Sequence, residues 1–141
     1  MADENQFFRP IRDFYQRTVV SCSASDPLVD IVAQMRARSI SCVVVVEDDR
    51  PRAIVTDRDL RNKVVATGRD PANLSVADVM SMPLVTIGED DVLYETLYRM
   101  SRHNIHRLVV VDSAGALAGI ITVTDILRLQ AHSPHQLVLD I

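Results

Sequence analysis

The chain has no tryptophan, only three phenylalanines and three tyrosines, four glycines and two cysteines among 141 residues. Cys22 and Cys42 cannot build a disulfide scaffold, and such sparing use of the residue points to a reducing compartment. The longest unbroken apolar runs, Cys42–Val46 and Leu108–Val111, fall far short of the ~20 residues that span a bilayer. The first eight residues are acidic and polar, unlike a secretory signal. A soluble, cytoplasmic protein is expected. The formal charge of −4 lacks the clustered positive charge on which nucleic-acid binding relies, so neither a nucleic-acid nor a membrane partner is expected. Lysine is nearly missing too: Lys63 is the single lysine among fifteen basic residues, and the rest are arginine. Arginine suits forked phosphate recognition, although a bias of the source genome accounts for the excess equally well.

The common phosphate-loop, dinucleotide-fold and nucleophile-elbow motifs are absent, so catalysis is not expected. His103 with His106, and His132 with His135, stand at metal-pair spacing, but no cysteine pair or zinc-helix motif accompanies them and no metal site is expected. Disorder is excluded by a hydrophobic content of 48%.

What the chain does contain is a duplication. Laid at an offset of 65, Ile11 falls on Val76, Asp13 on Asp78, Val20 on Val85, Asp26 on Asp91, Leu28 on Leu93, Met35 on Met100 and Ile40 on Ile105. One residue is inserted in the turn Asp112–Gly115, after which Ile54 falls on Ile120, Thr56 on Thr122 and Asp59 on Asp125. Turns are where a structural repeat tolerates insertions.

Each copy has the same local pattern. Asp26-Pro27 suggests a helix cap followed by proline in the first turn, and Asp90 or Asp91 takes that place in the second copy. Leu28, Ile31, Val32 and Met35, and then Leu93, Leu97 and Met100, recur at helical spacing. Short β-branched runs follow, Cys42–Val46 with Ala53–Val55 and Leu108–Val111 with Ala118–Ile121, each pair joined by a polar turn as in a β-hairpin. A further helix begins at Thr56 and at Thr122, and Gly68 closes the first of these. A unit of roughly 50 residues is marginal alone, so the copies should pack face to face.

The segments Ala53–Leu60 and Gly119–Ile126, with Asn104–Asp112 leading into a strand, resemble the tandem pair of cystathionine β-synthase (CBS) domains called a Bateman module. The resemblance covers about residues 11–130. It implies a mixed α/β (α+β) fold of two β-α-β-β-α repeats about a pseudo-twofold axis. The expected layout is an arm at 1–17, repeats at 18–68 and 76–130, a linker at 69–75 and a tail at 131–141. The tail resembles a connector cut from a longer chain, as in bacterial signalling proteins that continue into a nucleotidyltransferase-like effector domain. Two departures stand out. Ala53 replaces the family's usual glycine, which should tighten the approach to a ligand there, and Val44 and Val109 stand where proline is common.

Thr56-x-x-Asp59 and Thr122-x-x-Asp125 have the form of a capping box. A helix start also offers free N–H groups to an anion. The resemblance implies a further role, a ribose held by Thr56, Asp59, Thr122 and Asp125 and an adenine received by Val20, Ile40, Val85 and Ile105. Arg58, His106 and Arg107 are the candidate phosphate donors, with Arg61 and Lys63 continuing a basic face. Thr124 stands where the first copy has Arg58, so the two sites should be inequivalent, one of them the better phosphate site. The implied function is a regulatory module, a homodimer needing no cofactor, that binds an adenine nucleotide (AMP, ADP or ATP) in the cleft between the repeats and biases a partner domain. The alternative is a ligand-free dimerisation module whose repeat is purely architectural.

Overall fold

The computed structural model describes residues 6–131; most of the tail expected at 131–141, including His132 and His135, lies outside them. The first copy forms β1 (Ser21–Cys22), α1 (Leu28–Arg38), β2 (Cys42–Glu47), β3 (Arg50–Thr56) and α2 (Asp57–Leu60), which runs on as a π-helical turn over Arg61–Val65. The second forms β4 (Thr86–Gly88), α3 (Leu93–His103), β5 (Arg107–Val111), β6 (Leu117–Thr122) and α4 (Val123–Ala131). Two three-stranded sheets result, ordered β1-β2-β3 and β4-β5-β6, each with a parallel first pair and an antiparallel hairpin.

The periodicities explain these elements. Leu28, Ile31 and Met35 are buried on α1, and Leu93, Thr96 and Met100 on α3. On β2, Val43 and Val45 face the core with Val55 from β3, and Val44 between them is also fully buried. The β2–β3 turn places Asp48 and Asp49 in the left-handed region, the backbone that a two-residue hairpin requires. Both long helices end in the same way, on Ser39 (φ 53°) and Asn104 (φ 52°).

The expected aspartate caps are corrected by the structure. The N-cap of α1 is Pro27 and that of α3 is Val92, neither with a side-chain cap. Asp26 instead accepts the backbone N–H of Ser23 at 2.9 Å, and Asp91 that of Gly88 at 2.8 Å. Each closes the turn ahead of its helix, because its carboxylate points back along the chain.

The chain divides into two compact units, one formed by Val19–Leu84 and the other by the segment ending at Thr18 together with the chain from Val85 onward. The residues that lead into each copy therefore pack in the other copy's unit. Within the β1–β3 unit, Leu28 N–H donates to Leu74, Val76 N–H to Asp26, and Ser81 exchanges two backbone bonds with Ile54. Within the β4–β6 unit the same pattern recurs 65 or 66 residues away: Leu93 to Arg9, Ile11 to Asp91, and Gln16 in exchange with Ile120. Val76 and Val79 complete the first core, and Ile11 and Tyr15 the second.

Candidate functional site

Threonine precedes each short-looped helix because its β-branched side chain suits the end of a strand and its hydroxyl suits a cap. Thr56 caps α2 and forms the reciprocal box: Asp59 N–H donates to Thr56 Oγ1 at 3.4 Å, and Thr56 N–H donates to Asp59 Oδ2 at 2.9 Å. Thr122 and Asp125 repeat it at 3.2 and 2.9 Å. Both carboxylates are buried, Asp59 5% exposed and Asp125 7%. Neither faces open solvent, and each has found donors from its own chain.

The donors differ. Asp59 Oδ1 accepts the Ser81 hydroxyl at 2.5 Å and the Lys63 ammonium at 3.0 Å. Asp125 Oδ1 accepts the Gln16 side-chain amide at 2.9 Å. The Asp59 carboxyl lies below its usual range: burial pushes it up, and hydrogen bonds from Ser81, Lys63 and the Thr56 backbone outweigh that push. Lys63, expected on a basic face, turns inward and also donates to the carbonyls of Val79 (2.9 Å) and Met80 (3.3 Å).

The other candidate residues are divided between the two units. Val20 and Ile40 are half-buried at the margin of one core, as are Val85 and Ile105 at the margin of the other. Asp57 N–H donates to Ser41 at 3.1 Å, and Val123 N–H to His106 at 2.9 Å, so each helix start is tied to the residues just after Ile40 and Ile105. Arg107 lies opposite Thr122 in the β5–β6 register, where the first copy has Cys42 opposite Thr56. His106 and Arg58 are exposed. Ala53 is fully buried within its core, so its methyl group packs inside the unit. Gly119, its counterpart, has no room for one: a Cβ would lie 2.1 Å from the Gln16 carbonyl oxygen.

Sequence reasoning missed Gln16 and Ser81 as partners of the two aspartates. The repeat offset of 65 carries one onto the other, and that equivalence was the available signal. A small apolar cavity of about 200 Å³ in the β4–β6 unit, lined by Phe7, Leu93, Leu97, Val123, Ile126 and Leu127 with Gln6, contains none of the candidate residues. Among the described residues, no helix is long and apolar enough to cross a membrane, and no cluster of three or more metal-ligating side chains occurs.

The CBS domain family model matches residues 11–66 and 76–132. An uncharacterized protein of Methanopyrus kandleri is 39% identical over 118 residues, covering 83% of this chain and 60% of its own length. Inosine-5'-monophosphate dehydrogenase of Thermoplasma acidophilum is 35% identical over 114 residues, 81% of this chain but only 22% of that enzyme. The chain thus spans 60% of the first of these curated relatives and about a fifth of the second. Among solved structures, a CBS domain protein of Pyrobaculum aerophilum complexed with AMP superposes with a TM-score of 0.75, at 22% identity, over 93% of this chain and 96% of that one. At that identity the likeness shows the fold.

Proposed function

The chain belongs to the CBS domain family, and from that premise we propose that it is a regulatory module whose ligand is an adenine nucleotide. The observation that carries this reading is the pair of buried carboxylates, Asp59 and Asp125, each anchored at a helix start beside a half-buried apolar margin. A carboxylate in that setting accepts hydrogen bonds from a sugar diol. Thr56 and Thr122 hold the carboxylates in place, and the Val20–Ile40 and Val85–Ile105 margins offer aliphatic surface to a base. Arg58, His106 and Arg107 are the candidate phosphate donors. Arginine offers the planar fork that phosphate recognition favours.

Such a ligand regulates by binding one arrangement of the protein better than another, and so biases a partner domain or a second copy of the chain. Self-association is supported by the exposed Tyr94 and Tyr98 on α3 and Leu127 on α4, large apolar side chains that a second copy would cover.

Thermal denaturation with AMP, ADP, ATP and S-adenosylmethionine tests the reading. A true ligand at about 100 times its Kd adds about 2.7 kcal/mol of apparent stability. A transition unmoved by all four would leave the architectural module as the reading.

A further inference from the structure

The β4–β6 unit has an apolar corner where its counterpart carries charge. Phe7 from the turn Gln6–Phe8, Leu93 and Leu97 from α3, and Val123, Ile126 and Leu127 from α4 surround a cavity of about 200 Å³. The Gln6 amide is the single polar side chain in this lining, and no charged one joins it among the described residues. All seven residues belong to one unit, so the cavity is complete within a single chain.

The repeat shows that the fold does not demand such a corner. At offsets of 65 and 66, Phe7 falls on Ala72, Val123 on Asp57 and Leu127 on Arg61, and Asp57 and Arg61 are exposed. The β1–β3 unit carries a carboxylate and a guanidinium at these positions and still forms its core. The aromatic residues divide in the same way. Of the six in the chain, Phe7, Phe8, Tyr94 and Tyr98 are exposed on the Gln6–Phe8 turn and α3, where the first unit has Ala72, Asn73, Val29 and Ala33. Phe8 stacks on Tyr94 with ring centroids 6.3 Å apart, which ties the turn to the start of α3 beside Leu93.

The chemistry of the lining selects what it can hold. An apolar cavity of about 150 Å³ lined by aliphatic and aromatic side chains takes up benzene, and this one is somewhat larger. A charged group entering it would exchange water for hydrocarbon and one neutral amide, a cost that a neutral molecule avoids. We propose that this corner binds a small neutral aromatic molecule of the size of indole, its ring among Leu97, Ile126 and Leu127 and its polar group on the Gln6 amide. The site shares no residue with the nucleotide site proposed above and does not rest on it. Its walls come from the Gln6–Phe8 turn, α3 and α4, so the ligand fastens that turn to both helices.

The test is an indole titration of the full ¹⁵N-labelled chain followed by NMR. Amide shifts at Phe7, Leu97, Ile126 and Leu127 are expected, saturating at one indole per chain with a Kd of about 1 mM or tighter. Leu127→Arg and Val123→Asp give exposed and half-buried positions the residue types of the first unit, and each should weaken binding by about tenfold or more. Val65→Ala, at an exposed apolar residue of the other unit, should leave Kd within about twofold. Shifts that are absent, that fail to saturate or that spread over both units would overturn the proposal, as would undiminished binding in both charged variants. Shifts at the same residues that follow protein concentration and not indole would give the corner to a second copy of the chain and overturn it equally. The amide map of the unmodified chain decides the matter even where neither charged variant folds.

Discussion

Desolvation alone would raise the Asp59 carboxyl, yet Ser81, Lys63 and the Thr56 backbone together hold it below the usual carboxylate range. A folded-state value below the unfolded one makes the ionised group stabilising above the unfolded value, about pH 4. That contribution is lost as pH falls through the lower, folded value. Asparagine at this position carries no such charge. The stability advantage of the parent chain over Asp59→Asn should therefore be full at neutral pH and shrink below about pH 4, as read from urea midpoints across pH. A constant difference between the two proteins down to acid pH would show that the ionisation of Asp59 adds nothing to the folded state. The Thr56–Asp59 box was legible in sequence, but its other two partners were not: Lys63 stands four residues beyond Asp59 and looks like surface charge, while Ser81 stands 22 residues away. Spacing along a chain shows which residues share a helix face. It does not show which distant hydroxyl will meet a carboxylate.

The helices and hairpins were legible because their causes are local. Leu28, Ile31 and Met35 mark one face of α1, and runs of valine suit the middle strand of a sheet. Helix ends were less so. Asp26 has the residue type of a cap, but its carboxylate satisfies Ser23 instead, and Pro27 lies in extended geometry ahead of α1. The C-terminal ends of α1 and α3 carry no glycine, yet Ser39 and Asn104 both adopt left-handed φ. That conformation costs an L-residue about 1–2 kcal/mol, with asparagine more tolerant than serine. Ser39→Gly should accordingly raise stability by up to about 1 kcal/mol, and Ser39→Val should lower it, with urea unfolding as the measure. A destabilised Ser39→Gly would mean that the serine side chain contributes more to that helix end than its backbone geometry costs.

The repeat in the sequence and the units in space do not share boundaries. The sequence makes Val76 the start of the second copy, because Asp78 and Val85 align with Asp13 and Val20. In space, Val76 and Val79 belong to the core with Leu28 and Met35, while Ile11 and Tyr15 belong to the core with Ile87 and Ile121. Alignment of a chain with itself finds equivalent positions, but it is blind to which copy a lead-in segment joins, since both choices preserve the equivalence. The consequence is measurable. A fragment beginning at residue 76 has the whole aligned second copy yet lacks the fully buried Ile11, the buried Tyr15 and the two backbone bonds between Gln16 and Ile120. Removing one large buried side chain costs about 2–5 kcal/mol, against a total stability of about 5–15 kcal/mol for a natural domain. The fragment 76–141 should therefore show no cooperative urea transition by circular dichroism. A peptide spanning residues 6–18, added in excess, should restore one, with a midpoint that rises with peptide concentration. Cooperative unfolding of the fragment alone, unchanged by the peptide, would place the lead-in outside the folding unit and return the boundary to where the alignment puts it.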